Sequence, residues 1–184
     1  MDMNDKGFTI VELMVAVVVA MIAMGAIAVV FQMQFKTLNR EEQASEMRNN
    51  LKTAVELISR ELLMAGYDPS RSSNAGIVSP LSENSINFTI DRNGDGEING
   101  NREDVTYTYD ETDLAVVRNS RIIARNITGL SFTYHNADDE TTGDAAEVRR
   151  IKFQVSGRSG VRLPDAGYLT LTLSSDITPR NLAF

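Results

Sequence analysis

A run of 19 residues without a charged side chain, at positions 13–31, constrains this chain more than any other feature of its sequence. A helix that crosses a bilayer needs about 20 apolar residues, each adding about 1.5 Å along the helix axis. A buried helix of a soluble protein usually keeps a polar stripe, and this run has none. The run therefore predicts a membrane-spanning helix, with Lys6 before it and Lys36 after it.

An ordinary secretory signal peptide is the alternative interpretation of the same run. Small residues at Ala26 and Ala28 have the spacing of a signal peptidase site, and cleavage after Ala28 would release a soluble exported binding protein or enzyme. However, the first six residues carry two acids and one base, and the run exceeds the usual h-region of about 7 to 15 residues. Both features favour the membrane helix.

An acidic side chain, Glu12, stands directly against the apolar run. A carboxylate in the middle of a bilayer costs about 2.5 to 3.5 kcal/mol, so an acid at membrane depth requires a partner. Position alone leaves two interpretations open. Glu12 either marks the headgroup level where the span begins, or it has a function inside the membrane.

The residues around Glu12 form a contiguous motif. Residues 6–15, KGFTIVELMV, closely resemble the N-terminal signature of type IV pilins and of the pseudopilins of type II secretion. The resemblance implies that a prepilin peptidase cuts between Gly7 and Phe8 and methylates the new N-terminal Phe8. It also implies that Glu12 pairs with the N-terminal amine of a neighbouring subunit during assembly. A low-dielectric helix bundle would strengthen such a pair.

The same resemblance implies a set of partners and a location. The partners would be other major and minor pilins, the prepilin peptidase and an inner-membrane assembly platform. The chain would cross the inner membrane once, with its head in the periplasm, and then move to the pilus at the cell surface. Nucleic acid is not expected as a main partner, because the formal net charge is -7 and no stripe of Lys and Arg is present.

The helical pattern continues beyond the apolar run as far as Gly66. No Pro or Gly interrupts residues 36–65, so one helix over residues 8–65 is favoured over two helices with a break near residues 32–39. Gly66 suits the end of that helix. Apolar residues recur every three or four positions at Ala44, Met47, Leu51, Val55, Ile58 and Leu62. The predicted segments are a leader at 1–7, a hydrophobic helix at 8–35, an amphipathic helical half at 36–66 and a β-rich head at 67–184.

The pattern changes to strict alternation in the second half of the chain, which indicates strands with one covered face. A short hairpin is predicted at 114–118 and 121–124. The predicted fold class is α+β, with a long N-terminal helix packed on an antiparallel sheet as in pilins. The alternating positions are Ile86, Phe88, Ile90; Val105, Tyr107, Tyr109; Leu130, Phe132, Tyr134; Ile151, Phe153, Val155; and Leu169, Leu171, Leu173.

Two further stretches resemble one subfamily. Residues 61–67, ELLMAGY, and 178–182, TPRNL, are similar to the PilW-like minor pilins and, more distantly, to the J-type pseudopilins. This resemblance implies a minor subunit that helps initiate or assemble a type IV pilus used in motility, adhesion or DNA uptake. A type II secretion pseudopilin with the same mechanics is the alternative.

One loop has a pattern typical of calcium ligands. Residues 91–99, DRNGDGEIN, resemble the start of an EF-hand loop, in which alternate oxygen side chains converge on one ion. The twelfth position of the loop holds Arg102 instead of the required acid, so calcium would need another geometry. A solvated turn between strands is the alternative. The candidate ligands are Asp91, Asn93, Asp95, Glu97 and Asn99.

The composition offers little material for other cofactors or for catalysis. The chain has no Cys and a single His, which leaves no thiolate nucleophile and no histidine metal cluster. Phosphate-binding and nucleophile-elbow motifs are also missing from the sequence. The sequence therefore predicts a protein that is not an enzyme, with calcium as the one candidate cofactor.

Overall fold

The computed structural model describes residues 7–182, and their longest element is a helix. This helix, α1, covers the 53 residues Ile10–Leu62, and it confirms the predicted single helix without a break at residues 32–39. The contacts of the chain form two compact units, Met1–Glu42 and Gln43–Phe184. The predicted leader lies outside the described residues except for Gly7.

The part of α1 in the first unit exposes its apolar side chains. The exposed fraction of these large side chains ranges from 44% for Val17 to 80% for Ile10. Among residues 7–182, α1 is the one helix long and apolar enough to cross a membrane. Because exposed apolar surface costs about 25 cal/mol per Å² in water, this segment requires lipid or other apolar helices around it.

The part of α1 in the second unit is amphipathic. Its buried residues follow the predicted spacing of three or four, since that spacing returns a side chain to the same face of a helix. Each large buried side chain stabilises the fold by about 1.5 to 3 kcal/mol. Ala44 and Val55, which were predicted on this face, are half-buried. The buried positions are Met47, Leu51, Ala54, Ile58 and Leu62.

In the described part of the chain, seven strands and a short 3-10 turn at Ala145–Glu147 follow the helix. The first four strands form one sheet in the order β1-β2-β3-β4, and the last three form a second in the order β5-β6-β7. Every pair is antiparallel. The strands are β1 (Ser85–Thr89), β2 (Asp104–Asp110), β3 (Ala115–Arg118), β4 (Arg121–Arg125), β5 (Ile127–His135), β6 (Arg150–Arg158) and β7 (Thr170–Ile177).

The strands of residues 7–182 form two sheets, whereas the sequence predicted one. The first sheet ends and the second begins at Asn126, which has φ 58° and lies between the end of β4 and the start of β5. This left-handed conformation turns the chain, and Asn tolerates it better than most residues. The Asn126 carbonyl then accepts a hydrogen bond from the Arg158 amide at 2.8 Å, which directs β5 to pair with β6.

The predicted alternation and hairpin both appear in the strands. Buried and less buried residues alternate in β1, β2, β5 and β6, and Leu171 and Leu173 of β7 are half-buried. The predicted hairpin is β3 and β4, joined through Asn119 and Ser120 with φ 44° and 67°. Positive φ at both turn positions matches the twist of a two-residue hairpin loop. Buried side chains from both sheets pack against the amphipathic part of α1, and together with it they form the hydrophobic core of the second unit.

The end of α1 contacts the end of the chain. Gly66 has φ 77°, the left-handed conformation expected of a helix-ending glycine, and its amide donates to the Thr89 carbonyl at 3.0 Å. A Cβ on Gly66 would lie only 2.6 Å from Leu182. The two stretches that carry the subfamily resemblance, 61–67 and 178–182, therefore lie against each other.

A polar cluster connects α1 to the first sheet. Oε2 of Glu61 accepts hydrogen bonds from the Tyr107 hydroxyl at 2.6 Å and from Nε of Arg118 at 2.8 Å. Burial, and then the neighbouring Glu61 carboxylate, raise the pKa of Tyr107 well above its ordinary value. Tyr107 therefore stays protonated and acts as a hydrogen-bond donor to the helix.

His135 at the end of β5 should make the stability of the head depend on pH. Burial, and then the nearby Lys152 and Arg150, lower the pKa of His135 below its ordinary value of 6.5, against an opposing contribution from Asp176. The folded chain thus binds this proton less tightly than the unfolded chain, so stability falls as pH falls through about 6.5 and levels off below the folded pKa. The loss is at most about 1.4 kcal/mol per pH unit.

The His135→Gln variant tests this prediction because His135 is the single histidine of the chain. Urea unfolding followed by tyrosine fluorescence between pH 7.5 and 5.5 should show a smaller pH slope for the variant. An equal slope in both proteins would assign the effect to other groups.

Candidate processing and assembly site

The peptide bond predicted to be cut lies before the first turn of α1. Gly7, Phe8 and Thr9 precede the helix, and Phe8 is 90% exposed. A Cβ placed on Gly7 would meet no other atom within 4 Å. The bond between Gly7 and Phe8 is therefore in non-helical backbone and accessible to an enzyme.

Thr9 and Glu12 form a reciprocal cap at the start of α1. The Thr9 hydroxyl accepts a hydrogen bond from the Glu12 amide at 3.3 Å, and the Glu12 carboxylate accepts from the Thr9 amide at 2.9 Å. The Thr9 hydroxyl also donates to Glu12 at 2.9 Å. This is a capping box, which satisfies amides that the first turn of a helix leaves without partners. This cap was not predicted from the sequence, although the Thr-x-x-Glu spacing of residues 9–12 is its local signal.

The cap directs the Glu12 carboxylate toward the N-terminal end of the helix. The positive end of the helix dipole also favours an acid there. Both bonds from Thr9 go to the same oxygen, Oε2. Cleavage after Gly7 would create an amine on Phe8, four positions before Glu12. The geometry thus brings the three predicted residues Gly7, Phe8 and Glu12 to one exposed helix end.

These features define a class of protein: a chain with an exposed apolar N-terminal helix, an accessible segment before it and an acid at its first turn, on an α+β head. Residues 2–28 match the family model for the prokaryotic N-terminal methylation motif, the hallmark of type IV pilins and pseudopilins. The resemblance to that superfamily is thereby confirmed. The motif implies processing by a prepilin peptidase and assembly with other pilins. No curated protein and no solved structure matched the chain.

The predicted calcium loop lies between β1 and β2, and its first residue is an internal hydrogen-bond acceptor. Asp91 is fully buried. Its carboxylate accepts from the Gly94 amide at 2.7 Å, the Gly96 amide at 3.1 Å and the Ser70 hydroxyl at 3.0 Å. Asp91 therefore shapes the turn through the backbone amides of the loop itself.

The other four predicted ligands are exposed and bond to one another along the chain. Asn93 donates to Asp95 at 2.8 Å, and Asn99 donates to Glu97 at 3.0 Å. The amides of Asp95 and Glu97 donate to the side chains two residues before them. The structure thus keeps these oxygen atoms in local turns.

Glu103 is not among the predicted ligands, but its carboxylate binds the backbone of the same loop. It is 4% exposed, and its carboxylate accepts from the amides of Arg92, Asn93 and Asn99 at 3.2, 3.4 and 2.9 Å. Within residues 7–182, no three His, Asp or Glu side chains are grouped as a metal site would require. Calcium binding stays a prediction, and calorimetry with millimolar calcium tests it.

Asp91→Ala should destabilise the head by about 2 to 3 kcal/mol, because two glycine amides and the Ser70 hydroxyl would lose their buried acceptor. Urea unfolding in the presence of a chelator measures this effect without any bound cation. Asp95→Ala is the matched control, since Asp95 is an exposed acid of the same loop and should change stability by less than about 1 kcal/mol. Equal effects of the two substitutions would contradict the role given to Asp91.

Proposed function

We propose that this chain is a minor type IV pilin. A prepilin peptidase cuts it between Gly7 and Phe8 and methylates Phe8, and the apolar part of α1 holds it in the inner membrane with the head in the periplasm. The subunit then joins a pilus, where Glu12 pairs with the N-terminal amine of a neighbouring subunit. It helps to initiate or assemble the fibre that serves motility, adhesion or DNA uptake.

The observation that carries this proposal is the methylation motif at residues 2–28, on a helix with exposed apolar side chains. A span of this kind needs other apolar helices when it leaves the membrane, and a bundle of pilin helices offers them. The capping box supports the role of Glu12, because it places the carboxylate at the end of the helix where the new amine forms.

The assignment to a minor pilin is supported by the subfamily resemblance of residues 61–67 and 178–182, which contact each other through Gly66 and Leu182. A type II secretion pseudopilin is the alternative. Deleting the gene distinguishes the two: a loss of surface pili supports the pilin, and retained pili with a loss of protein secretion supports the pseudopilin.

Mass spectrometry of the mature N-terminus tests the processing step. We expect the mature chain to begin with methylated Phe8, whereas a start at Val29 would indicate an ordinary signal peptide. Gly7→Leu should block the cut without disturbing the fold, because the space around Gly7 is open. Gly25→Leu is the matched control at a second open glycine and should leave the cut intact. Normal cleavage of the Gly7→Leu variant would contradict the proposed site.

A further inference from the structure

The two sheets formed by residues 7–182 have four edges, and loops of the head pair with two of them. Residues 76–78 bond to the backbone of Asn87 and Thr89 along the outer edge of β1, at 3.0 and 2.8 Å. At the outer edge of β5, the Phe132 amide donates to the Glu83 carbonyl at 2.7 Å. These loops take up backbone groups with which another strand could otherwise pair.

The outer edge of β4 is protected in a different way. The strand has only five residues, and its register with β3 shifts between Val116 and Val117. Arg121 and Arg125 stand exposed at its two ends. Short length, an irregular register and charged side chains all oppose the addition of a further strand.

The outer edge of β7 has none of these protections. All eight residues of β7 pair with β6 in an unbroken register. The strand contains no Pro, Lys or Arg, and its one acid, Asp176, lies 3.3 Å from Arg150. In the part of the chain that the structure describes, neither a strand nor a backbone hydrogen bond occupies this edge. A long, regular edge of this kind is a template for another strand.

The hydrogen bonds at the start of β7 show which of its backbone groups are at the free edge. The Ser159 amide donates to the Leu169 carbonyl at 2.8 Å, so Leu169 directs its backbone toward β6. In an antiparallel pair, the backbone groups of successive residues point alternately toward the partner strand and away from it. Every second residue of β7 therefore has its amide and its carbonyl directed away from β6. These residues are Thr170, Thr172, Ser174 and Asp176.

The side chains of β7 define the kind of strand that fits beside it. Leu171 and Leu173 are half-buried and pack against the core, on the face where the Ser175 hydroxyl lies 3.2 Å from the Ser59 hydroxyl of α1. The other face carries exposed hydroxyl groups. Because an added strand continues both faces of a sheet, its residues next to the two leucines should be apolar and those between them polar.

We propose that the free edge of β7 pairs with an extended segment of a different pilin subunit, in which apolar and polar side chains alternate. The inference rests on the proposed function, since it requires the chain to join a fibre. Another pilin is the occupant because the methylation motif implies assembly with other pilins. The free amides and carbonyls are spaced for a polypeptide strand, whose backbone both donates and accepts hydrogen bonds at that spacing.

Hydrogen exchange measured by mass spectrometry tests the proposal on the unaltered full chain. The chain is exchanged once as a purified protein in detergent and once in sheared fibres. We expect the amides of Thr172 and Ser174 to exchange at least about tenfold more slowly in the fibre. The amides of Leu171 and Leu173 are the internal control, since they point toward β6 and should be protected in both states.

Two variants at one position separate the backbone from the side chain. Ser174→Pro removes an amide of the free edge and leaves the hydrogen bonds to β6 in place, because the Ser174 amide points away from β6. Ser174→Val is the matched control, since it changes the same side chain and keeps the amide. Both variants should keep the mature N-terminus and the urea midpoint. Only the proline variant should be depleted from the fibre fraction, by at least about fivefold.

The possible results separate this inference from the proposed function. Equal exchange of the edge amides in detergent and in fibres overturns the inference alone, as does normal assembly of Ser174→Pro or an equal loss of Ser174→Val. Edge amides already protected in the purified chain would indicate pairing between its own copies, which also overturns it. If Ser174→Pro lowers the urea midpoint, the exchange of the unaltered chain decides. Absence of the unaltered chain from fibres overturns the proposed function and the inference together.

Discussion

Cells that produce the Glu12→Ala variant should cut and methylate the chain normally but place at least about tenfold less of it in the sheared pilus fraction. Breaking a desolvated ion pair by removing one partner costs about 3 to 5 kcal/mol, and each 1.4 kcal/mol is a factor of ten in an equilibrium. The variant should accumulate in the membrane, because the apolar segment that holds it there is unchanged. Immunoblots of membrane and pilus fractions measure the distribution.

Two companion variants separate the charge of Glu12 from its role in the cap. Glu12→Gln retains a side chain that can complete a capping box but has no charge, so it should fail to assemble like the alanine variant. Thr9→Val removes the two hydroxyl bonds of the cap and keeps the charge, so it should assemble far better than either. If Glu12→Gln assembles normally and Thr9→Val does not, the acid acts by capping the helix and the pairing mechanism is wrong.

The second large effect is expected at the cluster that joins α1 to the first sheet. Glu61→Ala should lower the free energy of unfolding of the head by about 3 kcal/mol, because it leaves a largely buried guanidinium and a phenol without their acceptor. The side chains of Glu61 and Arg118 are only 14% and 20% exposed, so water compensates little of this loss. Urea unfolding of the detergent-solubilised chain, followed by tyrosine fluorescence, gives the value.

The exposed ion pair between Lys52 and Glu56 is the matched control for this experiment. It lies on the same helix, its atoms are 3.6 Å apart, and its side chains are 71% and 60% exposed. Glu56→Ala should therefore change stability by less than about 0.5 kcal/mol. If the two substitutions have equal effects, the cluster at Glu61 contributes no more than an ordinary surface pair.

The sequence predicted the helix and most strands because their hydrophobic spacing is a local signal. Residues such as Leu51 and Ile58 repeat at helical spacing, and Ile86 and Phe88 alternate, so each pattern is visible within a few residues. The N-terminal motif was also predictable, since its residues are contiguous. The capping box has an equally local signal in Thr9 and Glu12.

The division into two sheets depends on contacts between distant residues, so a short-range pattern did not predict it. The local pattern indicates strands on both sides of Asn126 but does not indicate which neighbour each strand pairs with. The contact between Gly66 and Leu182 joins residues more than a hundred positions apart. In the predicted calcium loop, Asp91 has the spacing of a metal ligand, but the sequence does not show that the amides of Gly94 and Gly96 donate hydrogen bonds to its carboxylate.

The packing of Leu182 against Gly66 also has a consequence for the order of events during translation. Residue 182 covers the point where the helix stops, although it follows that point by more than a hundred positions. Because a ribosome makes a chain from its N-terminus, the apolar segment emerges well before residue 182 and can enter the bilayer first. The head cannot cover the end of its helix until residue 182 has been made, so that folding step comes after the apolar segment has emerged.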